Sequence, residues 1–351
     1  MPQLNLDCEG PLTLNDNAFE LCEVFIPQGD KFFALVSKYD DYLADVERRP
    51  GYKAGDTLKL ILPFLSAFGV TNKLVREFSR KTIKVLPGAT ELLRLAQSLL
   101  PTFIISTSYR PYLEALCEIT DFPMTNVFCT EVDFDRYRPR GAEERLLKEL
   151  AQEIASLPMI EWPEGAKGLD DLSPESQRVV LRLEEIFWKI IPELESGRFL
   201  EEVNPIGGRE KARAVQESLS ATGFSAEEVL YVGDSITDVQ AFELVKEASG
   251  GAVSFNGNRY ALRAAEFYCL APQAYVIACL AAVFTDDGRE GLLREAEKGD
   301  FSPCKSLPSL LSPWPKGMKF GLIQAEKFEK LVEESLAMRK KVRGEAIGAL
   351  G

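Results

Sequence analysis

Apolar positions along the chain fall into two patterns. Short apolar runs bounded by turn residues predict buried strands at 4–6, 102–106, 126–129, 229–232, 252–255 and 267–270. Between them the spacing changes to the helical period, with helices expected over 91–100 and 209–219 and a buried helix after the last strand. Strands alternating with helices predict an α/β fold built on a Rossmann-like doubly wound parallel sheet.

Two long stretches interrupt that alternation. Residues 14–85 read as largely helical, punctuated by a turn at Pro50-Gly51. Residues 140–197 carry helical stripes at Leu147, Leu150, Ile154 and Leu157, then at Val179, Leu183, Ile186, Phe187 and Ile190. A loop at Trp162-Pro163-Glu164-Gly165 separates the stripes. The expected organisation is an α/β core from 1–13, 86–139 and 198–285, with helical insertions at 14–85 and 140–197. The remainder, 286–351, reads as an extension. It holds a connector with Pro303, Pro308, Pro313 and Pro315, one helix around Phe328, Leu331, Val332 and Leu336, and a fraying basic end. The apolar surface near Phe187 and Trp188 suits either a core or a homo-oligomer face, core being commoner.

Composition narrows the chemistry. Lys and Arg number 41 against 54 Asp and Glu, a formal net charge of −13, which argues against nucleic acid as a partner. Histidine is absent. That excludes a Ser-His-Asp triad, a Cys-His pair and His-ligated zinc. The cysteines (Cys8, Cys22, Cys117, Cys129, Cys269, Cys279, Cys304) are scattered without a CxxC pair, as expected of reduced, buried thiols. The first residues lack a signal-peptide pattern. The longest uncharged stretch, 267–285, is interrupted by Pro272 and Gln273 and falls short of a membrane span. A soluble, cytoplasmic protein is the expectation.

Four polar elements sit where strands end. The first strand runs into Asp7-Cys8-Glu9-Gly10-Pro11-Leu12, two carboxylates followed by a glycine that permits a sharp turn. The second empties into Ser106-Thr107-Ser108, hydroxyls suited either to phosphate or, through Ser108, to capping the next helix. Lys211 opens a helix after Gly207-Gly208, where the helix dipole disfavours a cation. The fourth is Gly233-Asp234-Ser235-Ile236-Thr237-Asp238, with the hard oxygen ligands that magnesium takes. Carboxyl ends of parallel strands are where such sheets bind ligands.

In this order, Asp7/Glu9, Ser106, Lys211 and Asp234/Asp238 resemble the motifs of the haloacid dehalogenase (HAD) superfamily of aspartate-nucleophile phosphatases. The resemblance covers about 1–12, 86–135 and 205–285, and makes 14–85 a cap. It implies that Asp7 attacks phosphorus and becomes an aspartyl phosphate. Glu9 then protonates the leaving oxygen and later activates water. Asp7, the Glu9 carbonyl and Asp234 hold Mg2+, while Ser106, Thr107 and Lys211 bind phosphoryl oxygens. Asp238 orients Lys211 or a water on the ion. Tyr109 and Arg110 fall near the mouth, where Arg110 suits an acidic substrate group or a surface ion pair. Asp16 and Glu20 suit a substrate amine or a helix start. Two positions depart from the pattern: Glu9 stands where aspartate is usual, as in a phosphoserine-phosphatase-like branch, and Pro11 replaces a threonine. The expected function is a Mg-dependent phosphatase for a small phosphate ester. A phosphotransferase and a non-catalytic accessory protein are the alternatives. The opening motif also resembles prokaryotic proteins named energy-converting hydrogenase A subunit R, which would make the chain a hydrogenase-complex component.

Overall fold

The computed structural model describes residues 2–298 and 318–348. The expected proline-rich connector, Cys304 and residues 349–351 of the basic end lie outside the described residues.

The expected strands form, within a residue or two for most: β1 (Gln3–Leu6), β2 (Thr102–Tyr109), β3 (Val127–Thr130), β4 (Val229–Gly233), β5 (Gly251–Phe255) and β6 (Phe267–Leu270). A further strand, β7 (Lys319–Leu322), joins them, giving the order β3-β2-β1-β4-β5-β6-β7. Neighbours pair in parallel except β7, which runs antiparallel to β6. The fold is thus α/β, with a Rossmann-like doubly wound sheet. The chain leaves β1 towards β2 on one side and returns as β4 on the other. That reversal opens a crevice beyond the carboxyl ends of β1 and β4.

The sheet is covered on both faces. Leu4 and Leu6 face a cluster built with Leu92, Leu93 and Ala96 of helix Ala89–Leu99 and with Val276–Phe284 of helix Tyr275–Lys298. Ala214, Val215, Phe242, Val245 and Ala261 line the opposite face beside Tyr231. The polar residues of β1 are paired there: the Gln3 and Asn5 amides donate to Ser218 Oγ at 2.7 and 2.9 Å.

Three expectations about organisation change. First, the two helical insertions are one body. Phe32, Tyr39 and Phe64 from the first share a cluster with Leu147, Leu183 and Phe187 from the second, and Tyr39 stacks on Phe187 at 5.9 Å. Phe187 is therefore core, and Trp188 donates to Tyr39 Oη at 3.0 Å. Second, the edges shift outward, because Phe134, Tyr137, Phe199 and Val203 belong to that same cluster. Third, the described residues beyond 285 are not a separate extension. Helix Tyr275–Lys298 runs through the expected boundary with a kink at Gly288, and β7 stacks Phe320 on Phe267 of β6. Helix Phe328–Arg343 then reaches back over the crevice instead of fraying.

Ser108 does not cap the next helix. β2 continues through Tyr109, and the Ser108 amide donates to Ser106 Oγ at 3.1 Å. The described cysteines are all buried. Among the described residues no single helix is long and apolar enough to cross a membrane. One pair, Thr57–Ala67 with Asn72–Thr82, passes that test only jointly and is bent by 110°. Its apolar residues Leu60 to Leu65 are buried inside the helical body.

Candidate functional site

β1 delivers Asp7 and β4 delivers Asp234 to the same end of the sheet, because Leu6 pairs in register with Val232. The Asp7 amide donates to the Val232 carbonyl at 2.8 Å, carrying the pairing one residue past β1. Beyond it the chain turns through Gly10, at φ +110°. A Cβ there would lie 2.3 Å from Asp234 Oδ2, so only glycine lets the first loop approach the fourth strand's acid.

Lys211 is fully buried between two carboxylates, with Nζ 2.7 Å from Asp7 Oδ2 and 2.7 Å from Asp238 Oδ1. Burial opposes its charge, but Asp238 and Asp7 more than offset that and hold it protonated. The position that looked unfavourable at a helix start is thus explained by two buried acids. Asp238 in turn accepts from Tyr231 Oη at 2.7 Å and from the amides of Asp234 and Ser235 at 3.0 Å each. Burial works against its ionisation. Lys211 and these donors outweigh it and keep the carboxyl below the usual range. Asp238 therefore fixes Lys211 and the β4 loop together.

Asp7 is pushed up to about 8, first by burial and then by the charges of Asp238 and Asp234, with Lys211 pulling the other way. Burial, then Asp16, holds Glu9 well above the glutamate range, although its Oε1 accepts from the Asn17 amide at 2.8 Å. Buried acidic groups thus crowd at this end of the sheet.

Asp7, Glu9, Ser106, Thr107 and Asp234 line one cavity of about 120 Å³, while Lys211 and Asp238 lie beneath its floor. The Thr107 hydroxyl is turned to the Ile206 carbonyl at 2.9 Å. Tyr109 and Arg110 are not in the cavity lining. Tyr109 is core, packed edge-on to Phe134 with its hydroxyl on the Leu58 carbonyl, and Arg110 pairs with Glu131 at the surface. Asp16 caps helix Asn17–Phe25, accepting from the Phe19 amide at 2.9 Å, and Glu20 accepts from the Asn15 side chain at 2.7 Å.

The sequence reading missed two arginines. Arg339 and Arg343, one helical turn apart on Phe328–Arg343, both contact Asp234 Oδ2, Arg343 at 3.3 Å. Arg343 also donates to the carbonyls of Leu14 and Asn15, the latter at 2.5 Å. Their i, i+4 spacing puts both on one helix face, but basic residues near a helix C-terminus carry no signal of a site by themselves. Asp40 and Asp41, which line the cavity from helix Gly29–Asp41, were missed as well.

These residues fit a divalent cation. Asp7, Asp234 and Asp238 each offer a carboxylate oxygen within 4.8 Å of the others. Seven acidic side chains (Asp7, Glu9, Asp16, Asp40, Asp41, Asp234, Asp238) gather at or beneath the cavity against three cations, Lys211, Arg339 and Arg343. Asp238 is already committed to Lys211 and Tyr231, which leaves Asp7 and Asp234 as the better ligands. The arginines use Oδ2 of Asp234, so Oδ1 is the oxygen these contacts leave for an ion.

Among solved structures, gene product AF1437 from Archaeoglobus fulgidus is similar over 100% of this chain and 99% of its own, with a TM-score of 0.83 and 30% sequence identity. The chain belongs to the family of that protein. The match to AF1437 spans both insertions and the C-terminal helix, so the joined helical body and the helix carrying Arg339 fall within the region of similarity. No family model matches the chain, and no curated protein does.

Proposed function

We propose that the protein is a magnesium-dependent phosphatase of the HAD type, acting on a small phosphate ester through an aspartyl phosphate on Asp7. The observation that carries this reading is the convergence of Asp7, Asp234, Asp238 and Lys211 at the crevice beyond the carboxyl ends of β1 and β4.

In this reading an Asp7 oxygen attacks phosphorus in line, the new O–P bond forming as the ester O–P bond breaks. The departing alkoxide takes its proton from Glu9, whose pKa burial and the nearby Asp16 raise above the usual glutamate range. Glu9, now ionised, accepts a proton from water as that water attacks the aspartyl phosphate, releasing phosphate and restoring Asp7. Ser106, at the end of β2, faces the cavity and donates to phosphoryl oxygens. Lys211, held by Asp238, keeps positive charge against Asp7 throughout. Asp7, the Glu9 carbonyl and Asp234 would hold Mg2+, which would neutralise charge between the carboxylate and the phosphate.

The test is hydrolysis of an aryl phosphate with and without magnesium, with Asp7→Asn as the control. Magnesium-dependent release abolished by that substitution supports the reading; release unaffected by it removes Asp7 as nucleophile. One observation favours a second reading, an accessory protein without turnover: two guanidiniums already neutralise Asp234. Magnesium binding without hydrolysis of any ester would support that alternative.

A further inference from the structure

One face of helix Gly29–Asp41 contributes Phe33, Ser37, Asp40 and Asp41 to the cavity lining, at i, i+4, i+7 and i+8. Resting on the phosphatase reading above, we propose that Asp41 receives an ammonium group carried by the leaving-group side of the substrate, so that the substrate class is a phosphate ester of a small amino alcohol.

The other acids near this wall are accounted for. Asp40 accepts from Tyr52 Oη at 2.6 Å and from the Gly55 amide at 2.9 Å. Asp16 is a helix cap. Asp41 differs. It is only 9% exposed and lines the cavity, yet its carboxylate makes no hydrogen bond or ion pair among the described residues. Lys38, three residues before it on the same helix, favours its charge from a distance but sits 3.9 Å over the Trp162 ring and makes no ion pair with it. Burial, then Asp40, raises the Asp41 carboxyl to about 7, the behaviour of a buried acid without a partner. Ionised, a carboxylate held this way is costly to the fold, and either a proton or a cation entering the cavity relieves that cost.

The chemistry of the wall selects an ammonium over a metal ion. The carboxylate grouping suited to an ion is Asp7, Asp234 and Asp238, which does not include Asp41. Asp41 offers one carboxylate, beside the Ser37 hydroxyl and the Phe33 ring, and an alkylammonium is satisfied by such a set. An anionic leaving group is disfavoured, because Asp40 and Asp41 face it, while Arg339 and Arg343 are engaged with Asp234.

The experiment compares phosphoethanolamine with propyl phosphate, which replaces the ammonium by a methyl group at similar size. The ratio of their kcat/KM values is the readout. The wild-type protein is expected to favour phosphoethanolamine by at least about tenfold, and Asp41→Asn to bring the ratio near unity. Asp41→Glu, which keeps the charge, should restore part of the preference. Equal use of the two esters, or a preference that survives Asp41→Asn, overturns the proposal while leaving the phosphatase reading intact. If no ester, aryl phosphate included, is hydrolysed, the phosphatase reading fails. Calorimetric binding of the same two esters then decides the ammonium site by the same ratio.

Discussion

Gly10→Ala probes the point where the first loop meets the fourth strand. The added methyl carbon would lie 2.3 Å from Asp234 Oδ2 and 2.6 Å from its Cγ, where ordinary contact begins at 3.4 Å. The carboxylate would have to retreat by about 1 Å. Arg339 and Arg343 hold it on one side, and the Asn258 amide holds its backbone carbonyl at 2.9 Å. Retreat therefore weakens a buried ion pair, which costs about 3–5 kcal/mol when lost entirely. The positive φ adds about 1–2 kcal/mol of strain for any L side chain. A total near ~4 kcal/mol follows from partial loss of the pair plus the strain. Gly223→Ala supplies the control. It has φ +78° with nothing within 4 Å of its Cβ, so it reports strain alone, about 1 kcal/mol. Parallel thermal and urea unfolding of both variants gives the difference. Equal destabilisation by the two would refute the placement of Asp234 against Gly10.

Three further outcomes follow from the same geometry. Burial raises Asp41 and Glu20 to about 7 and Asp40 to about 6. The unfolded chain releases these protons first, near pH 4, so this contribution to stability is full below about pH 4 and is lost as pH rises to about 7. The melting temperature should rise on acidification from about pH 8 to about pH 5.5, with a shallower slope in Asp41→Asn; a melting temperature that only falls across that interval contradicts the assignment. Lys211→Met leaves Asp7 and Asp238 facing each other and should cost about 3–5 kcal/mol in urea unfolding, together with aryl-phosphate turnover. A stable, active Lys211→Met protein would remove Lys211 from the site. Arg339→Met strips a buried counter-charge from Asp234, so magnesium should raise the melting temperature of this variant more than that of the wild type. An equal or smaller magnesium shift would mean that Arg339 and the ion do not compete for Asp234.

The sheet was legible because its strands are short, apolar and flanked by turn residues, and the acids at their ends followed directly. β7 was not, since four residues with a central Gly321 after a proline-rich stretch carry little strand signal. The union of the two insertions was also hidden. Each stripe of apolar residues declares a buried face but not which other stripe covers it, and Tyr39 on Phe187 is a contact across 148 positions of the sequence. Lys211 could be singled out because a lysine in the first turn opposes the helix dipole. Arg339 and Arg343 could not, because basic residues at a helix end are ordinary. Their role depends on a helix folding back across the crevice, a tertiary fact. Tyr109 misled for a related reason: proximity to Ser106 in sequence says nothing about which side of β2 a side chain leaves.

The central claim is that Asp7 and Asp234 share one divalent ion at the end of β1 and β4. Manganese, whose oxygen-ligand chemistry resembles that of magnesium, allows a direct test by anomalous diffraction from crystals grown with it. The account predicts one anomalous peak about 2.0–2.3 Å from a carboxylate oxygen of each residue, with Arg339 remaining on or displaced from Oδ2 of Asp234. Manganese bound elsewhere, with no peak between Asp7 and Asp234 at saturating concentration, would contradict it.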